Sequence, residues 1–125
     1  MKTIGRIEVE IFRVVSDKIR TDEVVITDER IGHIKDHHPN DYEQYSQYIS
    51  QMVEHPQYIL EDKRPNTAVI LQEFTEENKR FRLIMKLAVE CDDLFKKNTV
   101  ITFMRINEKT FKKYLRNKKI LYKSE

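Results

Sequence analysis

Histidines, cationic side chains and threonine hydroxyls are the residues of this chain whose types and spacing could do chemistry. Three of the four histidines fall in one stretch, Gly32-His33-Ile34-Lys35-Asp36-His37-His38-Pro39. His33 and His37 are four apart and share a helical face. His38 is five from His33, about 140° around a helix of 3.6 residues per turn. An i, i+4 histidine pair can hold a metal, but a third ligand is needed, and Ile34 stands where a His-Glu-x-x-His protease has its glutamate. A helix that ends in polar residues before a proline, with His38 capping it, is the plainest reading. The chemical one is proton transfer, because histidine alone has an unperturbed pKa near neutrality.

Two further groups complement the histidines. A strand over residues 80–90 places Phe81, Leu83, Met85, Leu87 and Val89 on one face and Arg80, Arg82, Ile84, Lys86, Ala88 and Glu90 on the other. Arg82 and Lys86 then suit a phosphate, the first as a planar fork and the second as a point charge. In Asn98-Thr99-Val100-Ile101-Thr102-Phe103 the threonines have opposite parity. A regular strand therefore turns Thr99 to the open face and Thr102 to the core, unless a bulge intervenes. Histidine acid/base groups, a cationic clamp and a hydroxyl are the parts needed to cleave RNA without a metal or other cofactor. The RNA supplies its own 2′-hydroxyl nucleophile, and cations stabilise the charge of the transition state.

Composition removes several alternatives. Gly5 and Gly32 are the only glycines, so neither a dinucleotide fingerprint, a P-loop nor a Gly-x-Ser-x-Gly elbow can be written. The single cysteine, Cys91, excludes an internal disulfide and a multi-cysteine zinc site. No apolar run approaches a membrane span, and the first residues lack a signal peptide's apolar core, so a cytoplasmic protein with no membrane partner is expected. The net charge of +2 hides a gradient. Residues 91–125 hold ten lysines and arginines against four acids, a surplus of +6, which leaves −4 on residues 1–90. A basic end on an acidic body suits a phosphate-bearing partner, although a solvated lysine-rich helix has the same composition.

The elements that must position these groups follow from periodicity. Alternation of Ile7, Val9 and Ile11 predicts a strand over 4–15, and 24–27 a second, short one. A helix runs from Asp28 to about His38, capped by Thr27 or Asp28. A second helix covers 40–54, capped by Asn40 or Asp41, with Tyr45, Tyr48, Ile49, Met52 and Val53 as its stripe. Strands at 57–61, 67–75, 80–90 and 98–106 are separated by polar turns, and a helix over 107–117, capped by Asn107, precedes a short apolar tail at 119–122. A single α+β domain over residues 1–125 is expected. N-terminal strands and two helices precede an antiparallel sheet of about four strands and a C-terminal helix, with one sheet face open.

The segments Ile26-Thr27-Asp28-Glu29-Arg30-Ile31-Gly32-His33-Ile34…His38-Pro39, Pro56-Gln57-Tyr58-Ile59-Leu60-Glu61-Asp62, Arg64-Pro65-Asn66-Thr67, Ile84-Met85-Lys86-Leu87, Asn98 to Phe103 and Lys119-Ile120-Leu121-Tyr122 together resemble the phage-derived barnase/EndoU/colicin/RelE-like nuclease families. The resemblance spans about residues 24–123. It implies a small RNase-like domain with its substrate on the open sheet face. It places the family's histidine pattern on His33 and His38, its strand lysine on Lys86 and its Asn-Ser/Thr-x-Ile-Thr pattern on Asn98, Thr99 and Thr102. His33, His38, Lys86, Thr99 and Thr102 are thus the catalytic candidates. Arg64, Arg82, Arg105, Lys118 and Lys119 are the substrate-binding ones. RNA is the implied partner, with an inhibitor or antitoxin protein as a second. Two other readings keep the same residues: a non-catalytic RNA-binding module that uses the basic C-terminal helix, and a protein-interaction domain of a mobile element with structural histidines.

Overall fold

The computed structural model describes residues 1–125. In chain order the elements are β1 (Lys2–Arg6), the single turn α1 (Val9–Phe12), β2 (Glu23–Ile26), α2 (Asp28–His37), α3 (Asp41–Tyr45), α4 (Gln47–Glu54), β3 (Tyr58–Leu60), β4 (Thr67–Phe74), β5 (Lys79–Lys86), β6 (Asn98–Ile106), α5 (Glu108–Asn117) and β7 (Ile120–Lys123). All seven strands join one sheet in the order β1-β2-β6-β5-β4-β3-β7. Every neighbouring pair is antiparallel except β2 and β6, which run parallel. No helix is long and apolar enough to cross a membrane.

The α+β class holds, but the sheet has seven strands rather than about four, and there are five helices rather than three. The alternation over 4–15 ends as a strand at Arg6. Phe12 follows Val9 by three and Val15 follows Ile11 by four, a helical spacing, and α1 turns Phe12 fully into the core. The helix foreseen over 40–54 is two, α3 and α4, meeting at Ser46. The apolar tail becomes β7, paired with β3 at the sheet edge. The strand foreseen over 80–90 leaves the ladder after Lys86, although Leu87, Ala88 and Val89 stay buried. The caps Thr27 and Asn107 form as read, accepting from Arg30 N at 3.2 Å and Thr110 N at 2.8 Å.

Both faces of the sheet are apolar in their middle. On one, Ile59, Ala68, Ile70, Phe81, Leu83, Met85, Val100 and Phe103 meet Phe12 of α1, Ile34 of α2 and Ile49, Met52 and Val53 of α4. On the other, Leu60, Val69, Leu71, Ile84 and Ile106 meet Phe111 of α5, with Tyr114 and Leu115 packed alongside. This second face was expected to be open. Ile84, Val69 and Leu71 share it, however, and apolar side chains in those positions need cover. α5 supplies that cover as it carries the chain from β6 across to β7. The sheet face beside α5, over β5 and β6, carries Arg82, Lys86, Thr99 and Thr102.

Candidate functional site

Register decides which side chains share this face. Arg82, Ile84 and Lys86 of β5 stand opposite Met104, Thr102 and Thr99 of β6, and directly opposed residues point to the same side. The register shifts between Ile84 and Met85, where Met85 pairs with Val100 and Ile101 is the extra residue. This bulge cancels the opposite parity of the threonines. Thr102 therefore does not face the helix-packed core as expected, and both Thr99 and Thr102 lie on the face of Arg82 and Lys86.

Arg82 is held from α5. Its Nη1 donates to the Tyr114 hydroxyl at 2.6 Å, and its guanidinium lies 5.9 Å from the centroid of the Tyr114 ring. Its Nε–H is buried without a hydrogen-bond partner. His38 approaches the same region from the end of α2. It is the C-terminal cap, its backbone N donating to Ile34 O at 2.8 Å. After Pro39, Asn40 takes a left-handed conformation with φ 73°, which asparagine tolerates, and the chain turns into α3. The imidazole is half-buried, and burial holds its pKa below the ordinary 6.5. Asp41 pulls it upward, while the Arg82 cation and then His37 and His33 push it down. Burial therefore favours the neutral form of His38, which lies within the field of Arg82. α2 can reach this far because β2 pairs only with Asn98 and Thr99, so α2 and α3 flank the remaining length of β6.

The other candidates separate into three places. His33 is exposed, its ring stacked on His37 with centroids 4.1 Å apart, and its carbonyl lies 3.0 Å from His37 Nδ1. Lys86 lies four strand residues from Arg82, about 13 Å at the usual rise. Its Nζ donates to Pro65 O at 3.0 Å, and the opposing Thr99 hydroxyl donates to Lys97 O at 3.0 Å. Arg64, Lys118 and Lys119 collect at this same end. Arg64 Nε donates to Asp62 Oδ2 at 2.8 Å, which holds the carboxyl below its usual range and the guanidinium above its own. Lys118 lies in the field of Asp62, and the Lys119 carbonyl accepts from Glu61 N at 3.0 Å. Arg105 stands apart. It pairs opposite Phe81 on the helix-packed face, its backbone N donates to Asp41 Oδ2 at 3.0 Å, and its Nη1 donates to the Tyr45 hydroxyl at 3.0 Å. It buttresses α3 and is not part of the groove.

One residue of the site escapes a reading of the sequence. Tyr114 resembles one more aromatic in an apolar stripe, and only its contact with Arg82 separates it from Phe111. Asn98 is fully buried. Its Nδ2 donates to Thr21 O and its Oδ1 accepts from Ala88 N, each at 2.8 Å. It ties the start of β6 to two segments that lie outside the ladder. No three His, Cys, Asp or Glu side chains come together as metal ligands would.

Comparison with known proteins gives one match. Residues 1–123 match the family model described as phage-Barnase-EndoU-ColicinE5/D-RelE like nuclease2. No curated protein and no solved structure matches the chain.

Proposed function

The chain belongs to the phage-Barnase-EndoU-ColicinE5/D-RelE like nuclease2 family, and from that membership we propose that it is a metal-independent ribonuclease. The observation that carries the proposal is that half-buried His38 lies within the electrostatic field of Arg82, whose guanidinium donates to the Tyr114 hydroxyl beside α5. A neutral imidazole can take the proton of an RNA 2′-hydroxyl as that oxygen attacks the adjacent phosphorus. The Arg82 guanidinium, pre-set by Tyr114, stabilises the charge on the phosphoryl oxygens. Tyr114 accepts from Arg82 and so keeps its own O–H proton, which can pass to the departing 5′-oxygen. The products are a 2′,3′-cyclic phosphate and a free 5′-hydroxyl. Thr102, next to Arg82 in the face, is placed for a phosphate oxygen. Lys86, Thr99, Arg64, Lys118 and Lys119 guide the strand further along. His33, exposed and stacked on His37, is a weaker candidate for either proton.

Incubation of mixed single-stranded RNAs with the protein and excess chelator tests this. Cleavage with cyclic-phosphate ends, lost in His38→Ala and in Arg82→Ala, is the expected result. RNA left intact by the wild-type chain would sink it. One observation favours a second reading, RNA binding without cleavage: α5 exposes Lys109, Lys112, Lys113 and Arg116 to solvent. On that reading affinity depends on these cations and is indifferent to His38. An inhibitor protein that covers the groove is the further partner expected of a cell-damaging nuclease.

A further inference from the structure

Loop 91–97, between the buried Val89 and β6, carries the two most exposed large apolar side chains of the protein. Leu94 is 84% and Phe95 89% accessible. Scattered exposed apolar residues are ordinary, but this pair is held in place. Arg20 closes the arch beneath them, with Nη1 donating to Asp92 O at 2.8 Å and Nη2 to Lys96 O. Asp92 Oδ2 accepts from Val89 N at 2.9 Å, and Asp93 Oδ1 accepts from Phe95 N itself at 3.0 Å. Lys96 N donates back to Asp93 O at 2.9 Å. The two aspartates are thus turned onto backbone amides, while the Lys96 ammonium approaches Asp92 only to 4.0 Å.

We infer that Phe95, with Leu94 beside it, is a stacking platform for an unpaired base of single-stranded RNA. The inference rests on the ribonuclease reading and adds where the substrate is gripped. Three observations support it. A ring carried on a tied-down backbone and open to solvent suits base stacking, because the loop need not be ordered on binding. The arch leads through Lys97 and the tied-down Asn98 into Thr99, opposite Lys86, and Asp92 lies within the field of Lys86. The platform therefore stands at the Lys86 end of the groove, where the backbone of a bound strand would emerge. The area also suits a base better than a protein. A specific protein interface buries about 800 Å² per partner, whereas two apolar side chains with Glu90, Asp93 and Lys96 around them offer far less. One base covers one phenyl ring.

The chain contains no tryptophan, so Phe95→Trp installs a unique fluorophore at the platform. A single-stranded RNA oligonucleotide is expected to quench it, and the same sequence as a duplex is not. In cleavage assays Phe95→Ala should raise KM about tenfold with kcat little changed, as expected for removal of one base–aromatic stack, and Phe95→Trp should restore it. An unchanged KM in Phe95→Ala together with no quenching of Phe95→Trp overturns the inference. So does a Phe95→Ala that handles RNA normally but abolishes self-association in sedimentation, which would make the tip a protein contact. If the wild-type chain cleaves nothing yet quenching persists, the platform stands and the ribonuclease reading falls. Cleavage with a silent Phe95 gives the reverse.

Discussion

His38 is the one histidine whose pKa the fold clearly shifts. Burial lowers its folded-state pKa below the unfolded 6.5. Between those two values the unfolded chain binds more protons, so stability is full above about pH 6.5 and declines as pH falls through the window. The carboxylates with lowered pKa, Asp62, Asp92, Glu23 and Glu108, titrate well below it and weaken the fold only at more acid pH. Urea midpoints between pH 7 and 5 should therefore fall more in the wild-type chain than in His38→Gln, and parallel profiles would place His38 in solvent. The same shift moves catalysis: the acid limb of kcat/KM should inflect below 6.5 if His38 is the base. For the partner residue, Tyr114→Phe should cost about 1 kcal/mol of stability in urea unfolding by removing the acceptor of a partly buried guanidinium, and should lower cleavage more than binding. Histidine, arginine and lysine were legible in the sequence because their chemistry is intrinsic to the side chain. Tyr114 was not, because a tyrosine at helical spacing packs like a phenylalanine until a cation meets its hydroxyl.

Among the elements, β5 was legible in its alternation, which reflects two unlike faces, although it runs from Lys79 to Lys86 rather than over 80–90. The bulge in β6 was not. No glycine marks Ile101, and the extra residue is absorbed where Val100 must fill one core and Ile101 the edge of the other. That single register shift decides whether Thr102 joins the site. β7 and α1 were missed for a related reason: four residues carry too little periodicity, and tertiary contacts alone select their form. The junction at the start of β6 rests on Asn98, whose side chain satisfies two backbone groups that no ladder serves. Asn98→Ala should lower stability by about 2–4 kcal/mol by chemical denaturation, and a change under about 1 kcal/mol would mean that water or a shifted loop replaces both bonds.

Across the whole molecule, the small net charge conceals the division that matters. The −4 body holds the helices that bring His38 to the sheet, and the +6 end supplies α5, β6 and the turn-side lysines. Neutralising Lys112, Lys113, Lys118 and Lys119 together should flatten the salt dependence of RNA affinity, by about 0.7 in the log–log slope for each phosphate of a single strand that is no longer neutralised. An unchanged slope would remove α5 and the turn from the RNA path. The same topology explains why an open sheet face was expected and half of one was found. Arg82 and Lys86 on the second face of β5 suggested an open one, but β4 is apolar on both faces, and which helix returns to cover the second depends on the crossover from β6 to β7. The functional reading turns on the face that carries Arg82, Lys86, Thr99 and Thr102. Its most direct test is end analysis of single-stranded RNA incubated in chelator with the wild-type chain and with His38→Ala. Cyclic-phosphate termini from the first and intact RNA from the second are predicted. Intact RNA from both, or equal cleavage by both, would contradict the account.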